Sequence, residues 1–284
     1  MDRSSSASSA ALNYMETAVG MLITVAGASV WAEAAGAGAA VVFLHAGVAD
    51  SRMWDAEFKT VQATHRVVRL DLRGFGRSQL VAEKFSYHGD VVAVMDSLHV
   101  ERATLVGCSF GSNVALDVAL AHPERVERLV LVSPSIGDGA DAPDIRAFGE
   151  REEAALGRGD LDGATEENLR MWVDGPHRAP DAVNPEVRRF VGVMQRLAFE
   201  NPTPDGVKLD RLIPPARTRL GEIKVPTLIV AGSIDVEHVL GVARRLEERI
   251  PGSRLETIEG TAHLPTLEEP RRWQDLLSEF LNSR

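Results

Sequence analysis

Three side chains of the kinds that make an alcohol nucleophilic stand far apart in the sequence: Ser109, Asp235 and His263. Ser109 is the centre of Gly107-Cys108-Ser109-Phe110-Gly111, a G-x-S-x-G run that follows the apolar Thr104-Leu105-Val106 and opens a helical pattern. A strand that turns sharply into a helix at a serine pushes the backbone into sparsely allowed dihedrals and leaves no space for flanking side chains, hence the glycines. The turn also sets the hydroxyl at a helix N-terminus, where free N–H groups favour a developing negative charge. A serine needs a base, and the base needs an orienting carboxylate. Both types occur downstream, each just past an apolar run. Thr227 to Ala231 leads into Gly232-Ser233-Ile234-Asp235, and Leu255 to Ile258 leads into Glu259-Gly260-Thr261-Ala262-His263. Asp138, after the run Leu129 to Val132, and Glu237 are rival acids; Asp235 is preferred because Gly-x-x-Asp directly after a strand suits the role.

These residues meet only if the strands before them run side by side. Short β-branched runs alternate with longer amphipathic segments, the pattern of an α/β fold with a mostly parallel sheet covered on both faces. In such a sheet, residues just beyond the C-terminal strand ends collect on one rim. Leu22 to Val25 and Ser29 to Ala32 read as an antiparallel pair at one edge. Val41 to Leu44, Arg66 to Leu70, Thr104 to Val106, Leu129 to Val132, Leu228 to Ala231 and Leu255 to Ile258 read as buried strands. Val91 to Leu98, Ser112 to Ala121, Val239 to Ile250 and Trp273 to Leu281 read as helices. From 135 to 222 glycine, proline and charge rise and the strand signal vanishes, while Val187, Phe190, Val191 and Met194 keep helical spacing. This stretch is expected to be a helical cap inserted into a core of residues 18–134 and 223–284, since a structureless loop that long is improbable. Residues 1–17, rich in serine and alanine, read as a tail rather than a signal, because one arginine faces Asp2 and Glu16 and no basic leader precedes the apolar residues.

The chain resembles the α/β-hydrolase superfamily from about Met21 to its C-terminus. Beyond the serine elbow and the order Ser, Asp, His, Phe43-Leu44-His45-Ala46-Gly47 is similar to the family's His-Gly loop, and Asp71-Leu72-Arg73-Gly74-Phe75-Gly76-Arg77-Ser78 to its Asp-x-Arg-Gly-x-Gly-x-Ser loop. Gly260-Thr261-Ala262-His263 with Glu268-Glu269-Pro270 is similar to its histidine segment. The resemblance implies an eight-stranded sheet with an inserted cap, Ser109 as nucleophile, His263 as base and Asp235 as its orienting acid. It further implies an oxyanion hole from the backbone N–H groups of Phe110 and Gly47. Ala46 departs from the family's glycine, so Gly47 is expected to carry the unusual backbone geometry. His45, Asp71 and Arg73 are expected to lock loops together, and Cys108 to be an apolar filler. In the cap, Met171, Trp172, Phe190, Met194 and Phe199 are candidates to line a substrate pocket.

The implied activity is cofactor-free hydrolysis of a small ester, thioester or lactone. Carbon–carbon bond hydrolysis, lyase or perhydrolase-type chemistry on the same residues is the alternative. A ligand receptor with vestigial turnover is a third reading, distinguished by tight binding without hydrolysis. Serine at the elbow argues against the branches that use aspartate there, the haloalkane dehalogenases and epoxide hydrolases. Composition agrees: 284 residues, 44% apolar, with 31 basic against 41 acidic side chains and a net charge of −10. Such a surface repels nucleic acid. The single cysteine and the spacing of the eight histidines show no disulfide or metal framework. Gly36-Ala37-Gly38 lacks the third glycine of a dinucleotide fingerprint, and no apolar run reaches the length of a membrane span. The expected location is the cytoplasm.

Overall fold

The computed structural model describes residues 19–137 and 142–283. The tail and Asp138 lie outside the described residues. The edge pair forms as expected: β1 (Val19–Val25) and β2 (Ala28–Ala35) are antiparallel and longer than their apolar runs. They are followed by β3 (Ala40–Leu44), α1 (Asp55–Val61), β4 (Arg66–Leu70), the two-residue β5 (Lys84–Phe85), α2 (Tyr87–Ser97), β6 (Ala103–Cys108), α3 (Phe110–Ala121) and β7 (Val126–Val132). Three helices then intervene, α4 (Pro143–Gly157), α5 (Leu161–Leu169) and α6 (Pro185–Glu200). The chain continues through β8 (Lys208–Leu209), β9 (Thr227–Gly232), α7 (Glu237–Arg249), β10 (Arg254–Ile258), α8 (Pro265–Glu268) and α9 (Pro270–Asn282).

Eight strands form one sheet in the order β1-β2-β4-β3-β6-β7-β9-β10, in which only β2 runs against its neighbours. The central strands are apolar at nearly every position because both faces are covered. Successive residues point to opposite sides, so Val42 and Leu44 join a core with Val94, Val118 and Leu246 of α2, α3 and α7. Val41 and Phe43 join the other, with Phe58 of α1 and Trp273 and Leu277 of α9. Cys108 points into this second core, where burial pushes its thiol up, consistent with an inert filler.

One expectation needs correcting. The inserted stretch is not free of strand, because β8 pairs in parallel with β5, Lys84 opposite Lys208 and Phe85 opposite Leu209. A two-residue bridge is too short to leave a period in the sequence.

Candidate active site

The elbow between β6 and α3 holds Ser109 at φ 50° and ψ −111°, a left-handed conformation costly for a residue with a Cβ. Its surroundings explain the glycines. A Cβ on Gly107 would lie 2.4 Å from the carbonyl oxygen of Gly111, and one on Gly111 would lie 2.2 Å from that of Leu44. The helix therefore starts pressed against the end of β3. Phe110 N–H is the first of its unpaired amides.

The rim brings the three distant side chains together. Ser109 Oγ lies 2.8 Å from Nε2 of His263, and Nδ1 of His263 lies 2.9 Å from Oδ2 of Asp235. A carboxylate only accepts, so Nδ1 carries the proton and Nε2 is free to accept from the serine. The other oxygen of Asp235 accepts the N–H of Val236 at 2.7 Å, which aims the carboxylate. Asp235 is 1% exposed and His263 2%, so little water competes for these bonds. Glu237, the rival acid, opens α7 and is exposed, paired with Arg244.

The loops after β9 and β10 are tied to each other. Ile234 N–H donates to the carbonyl of Thr261 at 3.1 Å, and Gly260 N–H to Ser233 Oγ at 2.9 Å. A brace that sequence reasoning missed reaches them from the inserted stretch. Arg178 pairs with Glu268 at 2.6 Å, and the second carboxylate oxygen of Glu268 accepts the N–H of Ala262, next to His263, at 2.9 Å. Arg178 also donates to the carbonyls of Val173, Asp174 and Gly260. No periodicity marks an arginine that works through backbone carbonyls.

The loop after β3 differs from expectation in its backbone. Neither Ala46 nor Gly47 has a positive φ. An ordinary turn closes there instead, Ala49 N–H donating to the carbonyl of Ala46 at 3.1 Å, which an alanine accommodates. Gly47 still approaches the elbow, since a Cβ built on it would sit 3.6 Å from that of Phe110. His45 locks this loop: Nδ1 donates to the carbonyl of Ala46 at 2.8 Å and Nε2 accepts from Leu72 N–H at 2.9 Å. Burial lowers its pKa, so it stays neutral in that tautomer. Asp71 accepts the N–H groups of Ser51 and Arg77, and Arg73 makes a two-pronged pair with Asp90 at 2.8 and 2.7 Å.

A cavity of about 450 Å³ opens over Ser109 and His263. Gly47, Phe75 and Tyr87 line it from the sheet side, and Phe148, Trp172 and Phe199 from the inserted helices. Trp172, on a π-helical turn at Arg170–Asp174, has its ring centre 4.5 Å from that of His263. Met171, Phe190 and Met194 are not among the lining residues: Met194 is buried in the second core, and Phe190 packs on that core. On α6 the apolar stripe Val187, Phe190, Val191, Met194 packs inward, and the next face, with Gln195, Ala198 and Phe199, meets the cavity. Residues one apart on a helix differ by about 100°, so a stripe and its neighbour face different ground. Phe148, Glu152, Asn168 and Gln195 also line the cavity and carried no signal in the sequence. Among the described residues no three His, Cys, Asp or Glu side chains converge as a metal site would require, and no helix is long and apolar enough to cross a membrane.

A family model for the alpha/beta hydrolase fold matches residues 39–270, most of the chain. The chain belongs to the α/β hydrolase family. Similar curated proteins include the 2-hydroxymuconate semialdehyde hydrolase of Pseudomonas sp. (strain CF600), 30% identical with 93% of this chain and 94% of that protein covered. The 3-oxoadipate enol-lactonase 1 of Acinetobacter baylyi is 24% identical over 86% of this chain and 89% of that one. Among solved structures, a protein described as an N-acyl homoserine lactone degrading enzyme superposes with a TM-score of 0.74 at 27% identity, covering 92% of this chain and 100% of that one.

Proposed function

We propose that this α/β hydrolase is a serine hydrolase that cleaves a small ester, thioester or lactone through an acyl-enzyme, with no cofactor. The reading is carried by the unbroken line of hydrogen bonds from Ser109 Oγ through His263 to Asp235. Ser109 Oγ attacks the acyl carbon while His263 Nε2 takes its proton, and Asp235 stabilises the imidazolium that forms. The tetrahedral oxyanion is held by the N–H groups of Phe110 and Gly47, each worth about 2.7 to 4 kcal/mol in the transition state. His263 then protonates the leaving group and activates the water that frees the acid. The inserted helices act as a cap that selects a modest, partly apolar group, with Trp172 beside the histidine.

The test is labelling with a fluorophosphonate probe, which reacts with an activated serine without knowledge of the substrate. The adduct is expected on Ser109, and Ser109→Ala is expected to lose both adduct and turnover of short p-nitrophenyl esters, the latter by about 10⁵- to 10⁶-fold. An adduct elsewhere, or turnover that survives the substitution, overturns the reading. A second reading, carbon–carbon bond hydrolysis on the same residues, is favoured by the likeness to the 2-hydroxymuconate semialdehyde hydrolase. Faster cleavage of a diketone than of a matched ester would select it.

A further inference from the structure

The cavity over Ser109 has a polar end that the hydrolytic chemistry does not use. Glu152, Asn168 and Gln195 line it, one from each of α4, α5 and α6. Both N–H groups of the Asn168 amide are taken, one by Glu152 Oε1 at 2.5 Å and one by the carbonyl of Ala164 at 3.0 Å. That assigns the orientation of the amide and leaves Asn168 Oδ1 as an acceptor. Gln195 is 4% exposed, and its Oε1 is buried with no hydrogen-bond partner. A buried acceptor without a donor costs roughly 1 to 3 kcal/mol, so its retention at a cavity wall points to a donor brought by the ligand.

The charge at this end is negative and uncompensated within the cavity. The cationic lining residue, Arg73, binds Asp90 through Nε and Nη2, and its guanidinium stacks 4.3 Å over Phe85. Its Nη1 is buried without a partner. Phe148, Trp172 and Phe199 form apolar surface on the same helical side of the cavity. A ligand that fits has an apolar stretch and a distal N–H or O–H group.

We propose that Glu152, Asn168 and Gln195 form a specificity subsite that accepts a neutral hydrogen-bond donor on the acyl chain, such as an amide or hydroxyl, and rejects a carboxylate. This deepens the ester or lactone hydrolase reading and rests on it. A substrate anion would meet the negative charge of Glu152 beside the acceptor oxygen of Asn168, so repulsion and lost hydration both oppose it.

The test uses p-nitrophenyl esters of equal length ending in methyl, primary carboxamide or carboxylate, read as ratios of kcat/KM so that a general loss of activity cancels. Carboxamide over methyl is expected at about tenfold or more, and carboxylate over carboxamide at about a hundredth or less, matching one hydrogen bond gained and one charge misplaced. Glu152→Gln is expected to raise the carboxylate-to-carboxamide ratio about tenfold, and Gln195→Leu to bring carboxamide-to-methyl toward one. A carboxylate ester turned over as well as the carboxamide overturns the proposal and assigns Arg73 Nη1 as an anion receptor instead. Ratios unmoved by both substitutions overturn it too. If neither labelling at Ser109 nor ester turnover is found, the hydrolase reading fails separately. The subsite is then decided by calorimetric binding of the matched non-hydrolysable amides to the unmodified protein, where the same ranking supports it and an equal or reversed ranking overturns it.

Discussion

At the scale of single residues, the proposed mechanism requires that His263 keep its proton on Nδ1. Asp235 is the group that enforces this, because a carboxylate offers no donor, whereas an asparagine offers N–H and permits the opposite tautomer. Asp235→Asn is therefore expected to fold normally and lose about 10⁴-fold in kcat, measured on whichever ester the panel selects. A loss below tenfold would mean that His263 is oriented by something else. The meeting of Ser109, Asp235 and His263 was readable in the sequence because each stands within a few residues of the end of a strand-like run, so the fold's own geometry determines where they end up. The polar lining residues were not. Glu152, Asn168 and Gln195 sit on helices whose sequence pattern records the packed stripe and says nothing of what the neighbouring face meets.

At the scale of elements, two contacts govern the rim. The first is the approach of α3 to β3, where a methyl on Gly111 would stand 2.2 Å from a backbone oxygen that cannot retreat without breaking the sheet. Gly111→Ala is expected to destabilise the fold by about 3 kcal/mol or more, seen as a fall in denaturation midpoint or loss of soluble protein. An unchanged midpoint would mean that the helix can shift. The second contact is the brace from the inserted stretch, in which Arg178 and Glu268 are mostly buried. Removing one member of such a pair leaves the other charge without its partner, which is worse than removing both. Arg178→Ala is expected to cost about 2 kcal/mol, and adding Glu268→Gln to recover part of it, because glutamine still accepts the Ala262 N–H. Thermal melts of the two single variants and the double variant check this; a strictly additive double variant would show that the pair is not coupled. Arg178 escaped the sequence reading because an arginine in a polar stretch has the same appearance whether solvated or bridging.

At the scale of the whole molecule, stability depends on pH through a carboxyl far from the site. Glu57 of α1 is 1% exposed and accepts the indole N–H of Trp273 of α9 at 2.9 Å, so it links two helices of the second core. Burial raises its pKa from 4.5 to about 7. An acid whose folded value is raised holds its proton more tightly in the folded state. Its contribution is full below the unfolded value and is lost as pH climbs from about 4.5 to 7, on the order of 3 kcal/mol. Asp117, raised to about 6 by burial, works in the same direction. The midpoint of unfolding is expected to fall across this window, and Glu57→Gln to flatten the fall while keeping an acceptor for Trp273. A pH profile identical to the parent protein would refute the assignment. The composition and periodicity of the chain determined that a mostly parallel sheet forms and that a serine, an acid and a histidine stand beyond its strand ends, because local propensity and face-by-face burial are written along the chain. Only the tertiary structure decided which side chains of the inserted helices face the cavity, that Gly47 needs no left-handed backbone, and that Arg178 braces the histidine loop. Those outcomes depend on how elements distant in sequence rotate and approach one another in space, and no local pattern encodes that.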